Sequence, residues 1–312
     1  MSDATDYSRA LVEGPWRHEL VPANGSRFHV ATAGPARTHG DRRPLVVLLH
    51  GFPQFWWTWR HQLTGLADAG IRVAAMDLRG TGASDKPPSG YDVPTRTRDV
   101  AGVVRSLGHE QAVVVGCGTG GILAWAMAAL QPGITAGVAA LSAPHPLRLH
   151  VPPRRLLTPA AKRLLTLAQI PSLPERRLVD GRGVDAVLSA GGGTPLPEED
   201  LARYRDVLRI PFAAHSAVEA VRWLTRTSVR PDGRHYLAAL RRPIEVPVLQ
   251  VHGSVDAFWR PGNADVDGAA LARRFRFETV DGAGHLLPEQ APEQVNALLT
   301  EWLAPMMSLP AA

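Results

Sequence analysis

Apolar and polar positions along the chain switch repeatedly between two periods. Short apolar runs at 27–33, 45–49, 71–76, 113–115, 134–141, 246–251 and 275–280 predict strands. Longer amphipathic stretches at 57–69, 93–107, 122–130 and 291–303 predict helices. Strand and helix alternate, which argues for a mostly parallel sheet covered by helices on both faces. Strands buried on both faces read as unbroken apolar runs, and Leu45-Val46-Val47-Leu48-Leu49 is one.

The alternation breaks at Ala143-Pro144-His145-Pro146. From there to about residue 242 the chain is rich in Arg, Pro and Gly, with helical stretches at 200–208 and 213–227 and no clear strand. In the second stretch Val218, Val221 and Leu224 share one face. Gly191-Gly192-Gly193 predicts a loop. The expected organisation is a discontinuous core, 20–144 and 243–306, with a helical cap inserted at 145–242. Residues 1–19 are expected as a loose tail.

At 312 residues, with 45% hydrophobic and 20% charged positions, the chain has the composition of an ordinary globular protein. Its single cysteine, Cys117, excludes an internal disulfide and gives no zinc-ligand spacing. The first ten residues lack the basic and apolar regions of a signal peptide, and no apolar run reaches the length of a membrane span. These features predict a cytoplasmic protein. Net charge is +5, unevenly spread: residues 145–242 carry +8 and the remainder −3. A basic cap suits an acidic partner surface, although an Arg-rich solvated face is the plainer reading. Nothing resembles a nucleic-acid module.

The chemistry gathers at strand ends. Val113-Val114-Val115 drives into Gly116-Cys117-Gly118-Thr119-Gly120-Gly121, and an apolar helix follows. Strand, sharp turn and helix in the pattern G-x-nucleophile-x-G form a nucleophile elbow. Gly116 and Gly120 fit its outer glycines, and Gly118 stands where a nucleophile belongs. Further landmarks are His50-Gly51-Phe52-Pro53, the segment 55–62, and Asp77-Leu78-Arg79-Gly80 with Gly82, Ser84, Asp85 and Lys86. Residues 171–175, Arg222-Trp223, and Gly282-Ala283-Gly284-His285 complete the set. In this order the chain resembles the epoxide hydrolases of the α/β-hydrolase superfamily over roughly residues 15–305.

The resemblance implies an α/β-hydrolase fold and a particular chemistry. An elbow Asp attacks an epoxide carbon to form an ester, a His held by an acid activates water to break it, and two cap tyrosines bond the epoxide oxygen. His285 and Asp256 match the His and the acid, with Asp281 and Asp265 as lesser substitutes. The backbone N–H groups of Phe52 and Thr119 match the oxyanion donors, which survive loss of a side-chain nucleophile. The match fails at the nucleophile, because Gly118 has no side chain. It fails at the expected tyrosine positions too, where Ala168 and Val221 stand, leaving Tyr204 and Tyr236 elsewhere in the cap. Cys117 and Thr119 are weak candidates to replace the nucleophile.

His50, Trp56, Trp57 and Cys117 are expected along the pocket wall. The ligand expected there is a hydrophobic small molecule. The glycine run at 116–121 lies between strand and helix as a dinucleotide-binding turn does, but the landmarks at 50–53 and 284–285 go with a hydrolase. No cofactor and no metal are expected. Two functions stay open: a divergent hydrolase using a His285–Asp256 general-base dyad, and a non-catalytic binding or interaction protein on the same scaffold.

Overall fold

The computed structural model describes residues 6–38, 41–150, 157–227, 231–259, 262 and 268–308. Its strands are β1 (Arg17–Ala23), β2 (Ser26–Ala33), β3 (Leu45–Leu49), β4 (Val73–Met76) and β5 (Ala112–Cys117). β6 (Thr135–Leu141), β7 (Ile244–Gly253) and β8 (Ala272–Val280) follow. They form one sheet in the order β1-β2-β4-β3-β5-β6-β7-β8. β1, β2 and β4 pair antiparallel, and every pairing from β4 to β8 is parallel. Every residue of β3, β4 and β5 is buried, as their unbroken apolar runs require.

Helices cover both faces. α1 (Arg60–Asp68) packs with the closing helix α10 (Pro292–Met307) on one face. α2 (Val93–Ser106) and α3 (Thr119–Leu130) pack together on the other. Asp92 caps α2, its carboxylate accepting the Thr95 N–H at 2.7 Å, and Pro94 lies in the first turn. Between β6 and β7 come α4 (Pro159–Leu167), α5 (Leu173–Val179), α6 (Arg182–Ser189), α7 (Glu198–Leu208), α8 (Ala213–Arg226) and α9 (Pro231–Ala239).

The sheet order fixes where a site can form. From β3 the chain winds to β4 on one side and then to β5 on the other, so β3 and β5 are neighbours whose connections leave in opposite directions. Such a switch point opens a crevice beyond the carboxyl ends of the strands. His50 follows β3 there, and Gly118 follows β5.

The N-terminal segment departs from the loose tail expected at 1–19. Ala10 is fully buried, and its carbonyl accepts the Trp56 indole N–H at 2.7 Å. The Trp16 indole packs edge-on against Trp56 with centroids 5.2 Å apart. β1 begins at Arg17 and turns into β2 through Asn24 (φ 43°) and Gly25 (φ 72°). Asn-Gly between two strands is a hairpin signal, since both residues reach positive φ at little cost. No apolar run marks β1 in the sequence, because the strand is largely exposed. The helix expected over 57–69 divides into a 3₁₀ turn at Trp56–Trp59 and α1.

Candidate active site

The turn from β5 into α3 has the elbow's geometry. Gly118 adopts φ 55° and ψ −119°, and its N–H donates to the Leu141 carbonyl at 2.9 Å. The flanking glycines are required by close approach. A Cβ on Gly116 would stand 2.1 Å from the Gly120 carbonyl oxygen, and one on Gly120 would stand 2.2 Å from the Leu49 oxygen. Gly116, Gly118 and Gly121 also satisfy a dinucleotide spacing, but packing accounts for Gly121, whose Cβ would lie 2.5 Å from that of Ala143. A Cβ on Gly118 would lie 2.9 Å from His285 Nε2 and 3.9 Å from the Gly51 Cα. The apex therefore faces the histidine directly, with Nε2 closer than a side chain at 118 would allow. The N–H groups of Phe52 and Thr119 meet no acceptor among the described residues.

His285 follows β8, and Asp256 follows β7. Their side chains meet, with His285 Nδ1 3.0 Å from Asp256 Oδ2. The other carboxylate oxygen of Asp256 accepts the N–H groups of Phe258 at 2.8 Å and Trp259 at 3.1 Å. An ionised carboxylate so placed holds the proton on Nδ1 and leaves a lone pair on Nε2, toward the elbow. The Phe258 ring stands edge-on to the imidazole with centroids 4.8 Å apart. Asp281 accepts the Ser254 hydroxyl at the exposed rim, and Asp265 lies outside the described residues.

The loop at 191–193 binds both halves of this dyad. The Gly191 carbonyl accepts the His285 N–H at 2.9 Å and the Ala257 N–H at 3.1 Å. The Gln290 side-chain amide donates to the Gly192 carbonyl at 2.8 Å. A Cβ on Gly192 (φ 79°) would meet the Val255 oxygen at 2.4 Å, and one on Gly193 (φ 72°) would meet the Gly284 nitrogen at 2.5 Å. Three glycines are needed because the loop lies directly on the two backbones that carry Asp256 and His285.

Above the elbow lies a largely apolar cavity of about 80 Å³, bounded by Gly118, Thr119, His285, Phe52, Phe258, Trp259 and residues of α3, α4 and α8. Phe52 and Leu164 separate it from a second cavity of about 290 Å³ under α5 and α6. Trp259 is 8% exposed, and its buried indole N–H has no partner among the described residues. No charge pattern or motif marked it; its place three residues after Asp256 was the available signal.

Several expected wall residues stand elsewhere. His50 is buried against the loop after β4: its Nε2 accepts the Leu78 N–H at 3.1 Å, its Nδ1 lies 2.9 Å from the Gly51 carbonyl, and burial lowers its pKa to about 4. It borders a void of about 20 Å³ beside the cavity. The Trp56 ring packs among Trp16, His18, His29 and Phe55, away from the cavity. The Trp57 indole N–H donates to Asp200 at 3.2 Å, and Arg60 and Arg203 lie over its ring. Aromatic composition near a strand end does not say which side of the turn each ring takes. Cys117 is buried beneath the elbow, its thiol donating to the His285 carbonyl, and burial raises its pKa far above the ordinary thiol range. It is a packing residue.

The cap tyrosines are equally remote from the cavity. The Tyr204 hydroxyl donates to Glu289 at 2.5 Å, where Arg60, Gln54 and Thr58 also converge. Tyr236 packs on Trp223, and its hydroxyl has no partner among the described residues. A second His–Asp contact, His29 Nδ1 to Asp77 Oδ2 at 2.8 Å, is sealed from solvent and fixes the loop after β4. Among the described residues no His, Cys, Asp and Glu group is arranged to hold a metal ion. No described helix is long and apolar enough to cross a membrane.

A sheet with this order, an elbow after β5, and an acid and a histidine after β7 and β8 define an α/β hydrolase. The chain belongs to the alpha/beta hydrolase family, whose model matches residues 46–298, and it is epoxide hydrolase-like within that family. It is 32% identical to the AB hydrolase superfamily protein YfhM of Bacillus subtilis, over 91% of this chain and 97% of that one. It is 29% identical to Epoxide hydrolase A of Mycobacterium tuberculosis, over 91% and 96%. Epoxide hydrolase A of Mycobacterium thermoresistibile superposes with a TM-score of 0.76 at 27% identity, covering 95% of this chain and 100% of that one.

Proposed function

We propose that the protein is a divergent hydrolase in which His285, oriented by Asp256, activates water directly, with no covalent intermediate on the elbow. One observation carries this reading: His285 Nδ1 is held by Asp256 at 3.0 Å, which turns Nε2 to the elbow, 2.9 Å from where a Cβ on Gly118 would stand. Water in the adjoining cavity, whose walls include His285 and Gly118, lies within reach of a base. The base removes a proton as the water oxygen attacks, and the paired carboxylate supports the imidazolium that forms. Phe52 and Thr119 N–H groups supply preorganised donors for developing negative charge. The apolar walls fit a small hydrophobic substrate.

The joint absence of an elbow side chain and of any tyrosine on the cavity wall favours a second reading, a binding protein with an apolar ligand. Turnover of a panel of epoxides, esters and lactones, with His285→Ala prepared in parallel, separates the two. A hydrolase loses its turnover in the variant. Absence of turnover, or turnover equal in the variant, sinks the catalytic reading.

A further inference from the structure

We infer that His18, His29 and Asp77 together hold one proton more than two neutral imidazoles supply, and that this proton latches the N-terminal segment to the sheet, so that alkaline pH releases it. The inference is independent of the catalytic reading above. It comes from counting protons along one line of contacts. His18 Nε2 lies 2.9 Å from the Val12 carbonyl oxygen, His18 Nδ1 lies 2.8 Å from His29 Nε2, and His29 Nδ1 lies 2.8 Å from Asp77 Oδ2. Each of these three gaps joins two lone-pair atoms and needs a proton to be attractive. A neutral imidazole carries one N–H, so two neutral rings fill two gaps. With His18 Nε2 donating to Val12 and His29 Nδ1 donating to Asp77, two lone pairs face each other between the rings. Moving either proton into that gap empties another. A third proton completes the line and makes one ring an imidazolium beside an ionised carboxylate.

The surroundings favour that charge state. Asp77 accepts the Trp56 N–H at Oδ1 and the Ala83 N–H at Oδ2, each at 2.9 Å. Burial by itself raises its pKa, but the His29 hydrogen bond and charge outweigh this and hold the carboxyl below the ordinary range. The His29 and Asp77 side chains are 1% and 0% exposed, so neutral rings would leave a sealed carboxylate bonded only to neutral donors. Burial lowers the pKa of His18, which puts the imidazolium on His29. His50 after β3 and Lys86 after β4 also face the carboxylate, and Asp85 faces Lys86. Burial lowers His50 to about 4 and Lys86 to about 8.

The line of contacts ends on the N-terminal segment. The Val12 carbonyl accepts the Trp16 indole N–H at 2.8 Å as well as His18. The Trp16 ring packs edge-on against Trp56 and Trp57, with centroids 5.2 Å and 5.8 Å away, and Lys86 lies over the Tyr7 ring. Without the third proton His18 must turn from His29, and its bond to Val12 goes with it. Released imidazoles lose their charge above about pH 6.5. The latch is therefore complete below that pH and weakens as pH rises. While the latched pair keeps its proton and the released pair does not, release becomes about tenfold easier per pH unit.

Nitrogen-15 NMR of the unmodified protein at pH 7.5, where a free imidazole is about nine-tenths neutral, tests the count directly. Both ring nitrogens of His29 are expected to carry protons, and His18 a single proton on Nε2. One proton on His29 overturns the inference. Hydrogen exchange of the Trp16 and Trp56 indole N–H groups, corrected for intrinsic rates, then follows the latch. Exchange is expected to quicken at least about tenfold from pH 7 to pH 9. That dependence is expected to vanish in His18→Phe, which has no ring nitrogen to share a proton. Lys86 loses its charge over the same range, so Lys86→Met is measured in parallel and is expected to keep the dependence. Exchange flat with pH in the unmodified protein overturns the inference. So does dependence retained in His18→Phe, or dependence lost in Lys86→Met. The NMR count does not depend on either variant folding.

Discussion

Replacing Asp256 by Asn and by Ala separates the acid's structural role from its electrostatic one. In the native side chain one oxygen accepts the N–H groups of Phe258 and Trp259, and the other faces His285 Nδ1 at 3.0 Å. Ala leaves two buried backbone donors without an acceptor and the imidazole without its partner. Each lost partner costs about 1–3 kcal/mol, so roughly 3–9 kcal/mol is expected for the three. Asn keeps its carbonyl oxygen on the two N–H groups and turns its NH₂ toward Nδ1. The imidazole answers by moving its proton to Nε2, so stability falls by less than about 1 kcal/mol. A melting shift of about 2 °C per kcal/mol places the two variants roughly 4 °C or more apart. The Asn form then presents a donor, not a base, to the elbow, and any His285-dependent turnover falls about 10⁴-fold, as the wrong tautomer does in a serine protease. Nitrogen-15 NMR of His285 reads the tautomer without relying on activity. Equal melting losses in the two variants, or a proton still on Nδ1 in the Asn form, would refute the reasoning.

Three further outcomes follow from the contacts. Gly192→Ala places a methyl 2.4 Å from the Val255 oxygen at a φ of 79°; a cost of about 1–2 kcal/mol for the left-handed backbone is expected, and displacement of the acid loop lowers turnover about 100-fold. Melting curves and the His285 Nδ1 proton resonance check it, and an unchanged resonance contradicts it. Glu289→Leu removes the acceptor shared by Arg60, Tyr204, Gln54 and Thr58, with an expected loss of about 3–5 kcal/mol; a urea midpoint close to that of the unmodified protein would exclude it. Burial lowers His50 to about 4, His145 to about 3 and His252 to about 4. The unfolded chain takes up these protons near pH 6.5 while the folded chain does not. Their stability is therefore full above about 6.5 and is lost on acidification toward about 4, by about 1.4 kcal/mol per group per pH unit. Urea midpoints at pH 7.5, 6 and 5 test this, and a flat response tells against it.

The core was legible wherever burial on both faces forces an unbroken apolar run, as in β3, β5 and β6. It was not legible in β1, whose exposed positions outnumber its buried ones and whose placement depends on pairing with β2. Residues 6–16 escaped for a related reason. Their anchors are single contacts, such as the Ala10 carbonyl under the Trp56 indole, and no periodicity announces those. Within the inserted segment, helices stood out by their apolar faces, but the aim of a side chain did not. Tyr204 lies on a helix readable from sequence, yet its hydroxyl turns to Glu289, 85 positions away along the chain.

The dyad was readable because the family resemblance matches Asp256 and His285 to an acid and a histidine that each follow a strand, and those two strands pair in the sheet. What keeps them in place was not. Gly191-Gly192-Gly193 carries no functional group, and its part depends on a backbone carbonyl meeting the N–H groups of Ala257 and His285. That arrangement also explains how the site keeps its shape around Gly118. None of these contacts runs through an elbow side chain: the histidine is held by Gly191 from the backbone and by Asp256 from the ring, and the apex by the Leu141 carbonyl. A side chain at 118 can therefore be absent without releasing either loop. The elbow's own turn still costs backbone strain for any residue with a Cβ, and glycine relieves it. Gly118 thus sits inside a frame whose histidine and backbone contacts are fixed without it.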